Sequence, residues 1–91
     1  MIKYGPKIGL IRIMLMIQVD SMVEIADSVR KARKEQGVSQ TVLAQLSNVG
    51  LRFLCEVEHG KSTVRFDKLL SVLTSLGITL RLEMPSESSN A

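Results

Sequence analysis

Apolar residues recur at helical spacing in four stretches of this 91-residue chain. The first stretch starts at Ser21, which has the spacing of a capping box with Glu24 and therefore predicts a helix N-terminus. The second follows Ser39, a residue type that caps helices, and a short third runs over residues 51–58. A fourth stretch leads up to Gly77. The pattern predicts a mainly α fold of four to five helices.

Each predicted helix has an apolar face that is expected to build the core. Ala44 lies in the second helix where the third must approach closely, and a small side chain permits that approach. Leu54 and Val57 form the inner face of the third helix. The other predicted core residues are Met22, Ile25, Ala26, Val29 and Ala32 in the first helix, Val42, Leu43 and Leu46 in the second, and Phe66, Leu69, Leu70, Leu73 and Leu76 in the fourth.

The spacing changes from helical to alternating near both ends of the chain. Odd positions between residues 11 and 19 are apolar, and Ile78, Leu80 and Leu82 alternate with polar neighbours. Such alternation predicts short strands. Because a lone strand leaves backbone groups unpaired, the C-terminal strand is expected to pair with the N-terminal strand or with its copy in a second subunit. Ile78, Leu80 and Leu82 are therefore the predicted dimerisation residues.

The chain is too short for two independent cores. We expect a helical domain over residues 22–84 that includes the dimerisation strand, a strand-like extension over residues 1–21, and a polar tail over residues 85–91. A core of this size is marginal alone, so a homodimer is expected. An alternative takes Met22 as the natural start of the protein.

Charge is concentrated in the middle of the chain. The formal net charge is +3, and residues 30–68 hold eight basic and four acidic side chains. This distribution fits a polyanionic partner, although a solvated charged face accounts for it equally well. Hydrophobic residues make up 45% of the chain and aromatic residues only 3%, so the core must be aliphatic.

Several classes of protein are not expected from this sequence. Cys55 is the single cysteine, which excludes an intramolecular disulfide and a CxxC metal site and fits a reducing, cytoplasmic setting. The apolar stretch over residues 8–19 contains Arg12 and is too short to span a bilayer. His59 has no partner at metal-ligand spacing, and there is no glycine-rich phosphate loop. We therefore expect no enzyme, no cofactor, no metal and no membrane partner.

The segment Val38–Lys61 carries a recognisable pattern. Its parts are Val38-Ser39-Gln40 with Leu43-Ala44, the turn residue Val49, and the closing Leu54-x-x-Val57-Glu58-His59-Gly60-Lys61. This pattern resembles the helix-turn-helix of the Cro and lambda-repressor (Xre) class. From about Met22 to Glu83 the chain is similar to HipB-type antitoxins, in which one more helix and a short dimerising strand follow. It departs from them at Gly50, where many relatives have a capping side chain, and in the extension before Met22.

The resemblance implies that the third helix enters the major groove of DNA. The expected base-reading residues are Leu51, Arg52, Cys55 and Glu56. Arg52 is expected to contact guanine, with a phosphate contact as the alternative, and Glu56 either accepts from cytosine or orients Arg52. The expected phosphate contacts are Ser39, Gln40, Thr41, Gly50, Lys61 and Arg65, with Ser62 and Thr63 as weaker candidates. Residues 30–34 are left open between DNA, a protein partner and solvent.

The function implied by the resemblance is that of a dimeric, sequence-specific transcriptional repressor that binds a palindromic operator in double-stranded DNA. The HipB likeness further implies a HipA-type serine/threonine kinase toxin as partner, so that the protein would be the antitoxin and autorepressor of its operon. One alternative is a free-standing Xre-type phage or host repressor without a toxin. A second is a protein-interaction adaptor that kept the fold but does not bind DNA.

Overall fold

The computed structural model describes residues 15–86, which contain four helices. They are α1 (Met22–Glu35), α2 (Gln40–Ser47), α3 (Leu51–Glu58) and α4 (Phe66–Ser75). The predicted mainly α fold is confirmed, and α3 has the predicted bounds. None of the four helices is long and apolar enough to cross a membrane.

Side-chain caps fix the starts of the first two helices. At α1, the Ser21 hydroxyl accepts a hydrogen bond from the Val23 N–H, and the Glu24 carboxylate accepts one from the Ser21 N–H at 2.8 Å. At α2, the Ser39 hydroxyl accepts from the Val42 N–H at 3.1 Å. These bonds satisfy N–H groups that have no partner inside the helix. Both predicted caps are confirmed.

The turn between α2 and α3 is tight because Asn48 adopts a left-handed conformation, with φ 57° and ψ 44°. Asparagine is one of the few non-glycine residues that take this conformation readily. The Val49 N–H then donates to the Ala44 carbonyl at 3.0 Å, which closes the turn. The chain is thus ready to begin α3 immediately after Gly50, and the two helices form a helix-turn-helix.

The core is aliphatic and lies where the helices meet. α2 packs against α3 and α4, and α1 packs against α3. Leu54 and Val57 are fully buried, which fixes the rotation of α3 about its axis. The buried hydrophobic residues are Ala26, Val29, Leu43, Ala44, Leu54, Val57, Leu69, Val72, Leu73 and Leu76.

The predicted inner face of α2 is wrong at two positions. Leu46 is 64% exposed and Val42 is 44% exposed. Leu43 is buried as predicted, and Ser47 is buried as well. The Ser47 hydroxyl donates to the Ser75 hydroxyl of α4 at 3.0 Å. Because Val42 and Leu46 each lie one position earlier, they are rotated by about 100° away from that buried face.

The predicted inner face of α4 also needs correction. Phe66 and Leu70 are exposed, whereas Val72 is fully buried. The buried face follows the spacing i, i+3, i+4, i+7 and consists of Leu69, Val72, Leu73 and Leu76. Two alternative apolar faces overlap in this sequence, and only the position of α2 decides between them.

The predicted strands are not found within residues 15–86. Residues 15–19 and 78–86 have no regular secondary structure, and the first part of the predicted N-terminal strand lies outside the described residues. A strand needs a second strand to bond to, and the described part of a single chain offers none. Ile78 and Leu80 pack against the core, whereas Leu82 is 82% exposed. Pairing through these residues and the division of the chain at residues 21 and 84 stay predictions.

Candidate nucleic-acid interface

The four predicted base-reading residues share one side of α3. Leu51, Arg52, Cys55 and Glu56 follow the spacing i, i+1, i+4, i+5, which places them on one helix face. Leu54 and Val57 occupy the opposite, buried face. The Arg52 side chain is 91% exposed and Leu51 is 46% exposed, while Cys55 and Glu56 are partly buried. The structure therefore presents an outward surface on α3 with a cation at its most exposed point.

Glu56 connects two of the predicted DNA-contacting cations. Its Oε2 atom lies 3.5 Å from Arg52 Nε and 3.4 Å from Lys61 Nζ. The turn after α3 brings Lys61 back, because the Lys61 N–H donates to the Glu56 carbonyl at 3.1 Å. Lys61, predicted as a phosphate contact, is thus adjacent to the base-reading candidates.

Gly50 is the N-cap residue of α3 and makes no side-chain cap hydrogen bond. It is exposed, and a Cβ built at this position would meet no atom within 4 Å. Glycine is therefore not required here for space, and its φ of −73° is accessible to any residue. Because glycine has no side chain to cap the helix, the first-turn N–H groups of α3 lack a side-chain partner and remain open to solvent or a ligand.

The start of α2 is less open than the sequence predicts. Thr41 is exposed, but Gln40 is half-buried and its side chain is bound to other residues. Gln40 Nε2 donates to Glu58 Oε1 at 3.0 Å, and Gln40 Oε1 accepts from Cys55 Sγ at 3.7 Å. The Ser39 hydroxyl is occupied by the cap. The phosphate contacts assigned to Ser39, Gln40 and Thr41 stay predictions.

A buried ion pair beneath α3 is the main feature that the sequence analysis missed. Glu58 is only 3% exposed, and its carboxylate accepts hydrogen bonds from Arg33 Nε at 2.6 Å and from Arg33 Nη2 at 3.1 Å. Arg33 also donates to the Val38 carbonyl. The available signal was that Glu58 follows the buried Leu54 at i+4, so it lies on the inner face and needs a cation. The pair joins α1 to the end of α3.

The electrostatics of Glu58 favour its charged form. Burial raises the pKa of this carboxyl, but hydrogen bonds from Arg33 and Gln40 and the positive charges of Arg33 and Arg30 outweigh it. The pKa therefore lies below its usual value. Arg30 also donates to the Glu58 carbonyl and pairs with Asp27. α1 thus holds the C-terminal end of α3 through two arginines.

These contacts divide the basic cluster at residues 30–34. Arg30 and Arg33 contact Glu58, whereas Lys31 and Lys34 are exposed. Arg65, a further predicted phosphate contact, is exposed and binds Asp67 through two hydrogen bonds of 3.1 and 2.6 Å. The side-chain hydrogen bond from Arg65 lowers the pKa of Asp67. Within residues 30–34, the two arginines thus contact α3 and the two lysines face solvent.

His59 does not form part of a metal site in the described residues. It is exposed, and its Nδ1 lies 2.7 Å from the Cys55 carbonyl. Within residues 15–86, no group of three His, Cys, Asp or Glu side chains is placed to hold an ion. The outward face of α3 is therefore the surface that calls for a functional explanation.

Comparisons with known proteins agree with this geometry. The model of the helix-turn-helix family HTH_3 matches residues 29–82. A curated relative from Sinorhizobium fredii, "Uncharacterized HTH-type transcriptional regulator y4mF", is 39% identical over 70 residues, which cover 77% of this chain and 92% of the relative. Two solved structures share the fold at 17% identity and a TM-score of 0.69, with 78% of this chain and 100% of the other covered. They are titled "Structure of HipA-HipB-O2-O3 complex" and "HipB-O4 20mer complex".

These matches place the chain in a known helix-turn-helix family. The family match spans more than half of the chain and includes all of α2, α3 and α4. The predicted Xre-class resemblance is confirmed, and the fold is that of the HipB structures. The chain belongs to the HTH_3 helix-turn-helix family of transcriptional regulators and is not an enzyme.

Proposed function

We propose that the protein is a dimeric repressor that binds double-stranded DNA with α3 in the major groove. The observation that carries the proposal is the outward projection of Leu51 and Arg52 from a helix whose other face, at Leu54 and Val57, is fully buried. In helix-turn-helix proteins the second helix of the motif reads base edges in this groove. Such a repressor would act in the cytoplasm.

The proposed contacts fall into two classes. Arg52 would donate two N–H hydrogen bonds, one to guanine O6 and one to guanine N7, and Leu51 would contact a thymine methyl group. Cys55 and Glu56 would complete the base-reading surface. The proposed phosphate contacts, which position the domain without reading sequence, are Ser39, Gln40, Thr41, Gly50, Lys61 and Arg65.

Dimerisation would place two copies of α3 on one duplex. Residues 78–84 follow α4 and end in the exposed apolar side chains of Leu82 and Met84. We propose that Ile78, Leu80 and Leu82 pair with the same residues of a second subunit, which buries this surface and satisfies its backbone groups. Two subunits would then contact half-sites about 34 Å apart, so the operator would be palindromic.

A finer proposal concerns a protein partner. One structure with this fold is titled as a complex of HipB with HipA. We propose that this chain likewise binds a HipA-type serine/threonine kinase, which it restrains as an antitoxin while it represses its own operon. Purification from the native host, followed by mass spectrometry of copurifying proteins, tests this. A kinase-fold partner is expected, and a homodimer free of any partner would favour a free-standing repressor.

Substitutions in α3 and in the turn after it are expected to have different effects on DNA binding. Selection from a pool of random duplexes first defines the preferred sequence. Arg52→Ala is expected to weaken binding to it by about 1–3 kcal/mol and to relax preference at one base pair in each half-site. Lys61→Ala is expected to weaken binding to all duplex sequences alike. It is also expected to reduce the salt slope, which is the slope of log affinity against log salt concentration, by about one per subunit.

Lys31→Ala is the matched control, since it removes an exposed cation of α1 that is not among the proposed DNA contacts. Its affinity is expected to remain close to that of the wild type. If Arg52→Ala behaves like Lys61→Ala, then Arg52 contacts phosphate and the base-reading assignment is wrong. If the wild-type protein selects no duplex, the protein is an adaptor and the proposed function is wrong.

A further inference from the structure

The Glu56 carboxylate occupies an unusual position for a DNA-contacting surface. A single oxygen atom, Oε2, lies within 3.5 Å of both Arg52 Nε and Lys61 Nζ. The two cations come from different elements, one from the first turn of α3 and the other from the segment after it. Glu56 thus touches both a proposed base-reading residue and a proposed phosphate contact.

The other carboxylates near this surface are already committed elsewhere. Glu58 is buried and held by Arg33, and Asp67 is bound by Arg65 on α4. Glu56 differs from Glu58 because 31% of its side chain remains exposed, and from Asp67 because a single oxygen atom lies near two exposed cations. Its negative charge is therefore available to act on an approaching phosphate backbone.

We propose that Glu56 is a specificity-determining residue that restrains binding to non-matching DNA. This inference rests on the proposed function. The contact at Nε holds the Arg52 side chain along α3 and leaves its terminal N–H groups for a base edge. The same carboxylate draws Lys61 inward and repels nearby phosphates. Arg52 and Lys61 therefore contact phosphates of non-matching DNA less readily. Tight binding then requires the correct base pair.

The physical basis is that non-specific binding is dominated by neutralised phosphates, whereas base contacts supply discrimination. An acidic group between two cations lowers the non-specific affinity by opposing phosphate neutralisation, and it leaves the base contact of Arg52 in place. Its action on phosphates falls off within a Debye length, about 8 Å at physiological ionic strength. The effect of Glu56 should therefore be larger at low salt and should appear in the salt dependence of non-specific binding.

The test compares the wild type with Glu56→Gln on two duplexes, the one selected by the wild type and a scrambled duplex of the same composition. Glu56→Gln is expected to bind the scrambled duplex roughly three- to tenfold more tightly than the wild type does at low salt. Its affinity for the selected duplex is expected to rise less. The specificity ratio, which is the affinity for the selected duplex divided by that for the scrambled one, therefore falls. On the scrambled duplex the salt slope is expected to steepen by about one per subunit. That change corresponds to roughly a three- to fourfold greater loss per subunit between about 50 and 200 mM salt.

Two further variants separate this role from general charge and from folding. Glu35→Gln removes the same charge from an exposed position at the end of α1 and is expected to leave the specificity ratio unchanged. Glu56→Asp keeps the charge and is expected to retain more of the discrimination than Glu56→Gln. Thermal unfolding of all variants shows whether the fold is intact.

The outcomes distinguish this inference from the proposed function. A wild type that selects a duplex, combined with a Glu56→Gln variant of unchanged specificity ratio and salt slope, overturns the inference alone. An equal fall in the ratio for Glu35→Gln also overturns it, because the effect would then be one of net charge. A wild type that binds no duplex overturns the proposed function and this inference with it.

Discussion

Arg33→Met is expected to lower the free energy of unfolding by about 3–5 kcal/mol, because it leaves the buried Glu58 carboxylate without its cation. Both Glu58 oxygens accept hydrogen bonds from Arg33, and the residue is only 3% exposed. Methionine keeps much of the apolar stem of arginine but donates no hydrogen bond. The change is large for a small domain, whose total stability is of the order of 5–15 kcal/mol. Urea unfolding at neutral pH measures it.

The double variant Arg33→Met with Glu58→Met is the matched control. Removing both charges lowers the free energy of unfolding much less than removing one, because no carboxylate is then buried without a partner. The double variant is therefore expected to recover most of the loss. If the free energy of unfolding of Arg33→Met lies within about 1 kcal/mol of the wild-type value, the structural role of this pair is contradicted.

The pH dependence of stability provides a second readout of the same contact. The folded-state pKa of Glu58 lies below its ordinary value, so its stabilising contribution is present above that ordinary value and is lost as the pH falls through the folded-state pKa. In Arg33→Met the main groups that lower the pKa of Glu58 are removed, so burial is expected to raise this pKa and acidification to relieve the unpaired charge. The stability difference between the two proteins is expected to shrink between neutral pH and about pH 4.

Leu54→Ala is expected to lower the free energy of unfolding by about 2–5 kcal/mol. Leu54 is fully buried on the inner face of α3, so its truncation removes buried surface and leaves a cavity beneath the proposed recognition helix. Chemical denaturation gives the loss in stability.

Leu46→Ala makes the same chemical change on α2 at a side chain that is 64% exposed. It is expected to change stability by no more than about 0.5 kcal/mol. Equal losses in the two variants would contradict the orientation of α3 described above.

Helix boundaries were predictable because their causes are local. The cap at Ser21 involves Glu24 three residues away, and the cap at Ser39 involves the N–H of Val42. Both caps involve only residues within a few positions of the helix start, so the local sequence contains the whole signal for them. The rotation of α3 was equally predictable, because Leu54 and Val57 are the apolar pair at helical spacing on its inner face.

The sequence-based predictions failed where the structure depends on contacts between distant parts of the chain. Both faces of α2 carry apolar residues, and the contact with α4 buries Ser47 in preference to Leu46. Arg33 and Glu58 are 25 residues apart, so only the packing of α1 on α3 brings them together. The alternation over residues 78–83 shows a capacity for strand formation, but a strand also requires a second one beside it.

Methylation of guanine N7 in the bound duplex tests the central claim most directly, because N7 lies in the major groove. With the selected duplex, the wild type is expected to protect guanines in two half-sites about one helical turn apart. Arg52→Ala is expected to lose one protected guanine in each half-site. A duplex that is bound with every N7 still reactive, or protection that is unchanged in Arg52→Ala, would contradict the placement of α3 in the groove.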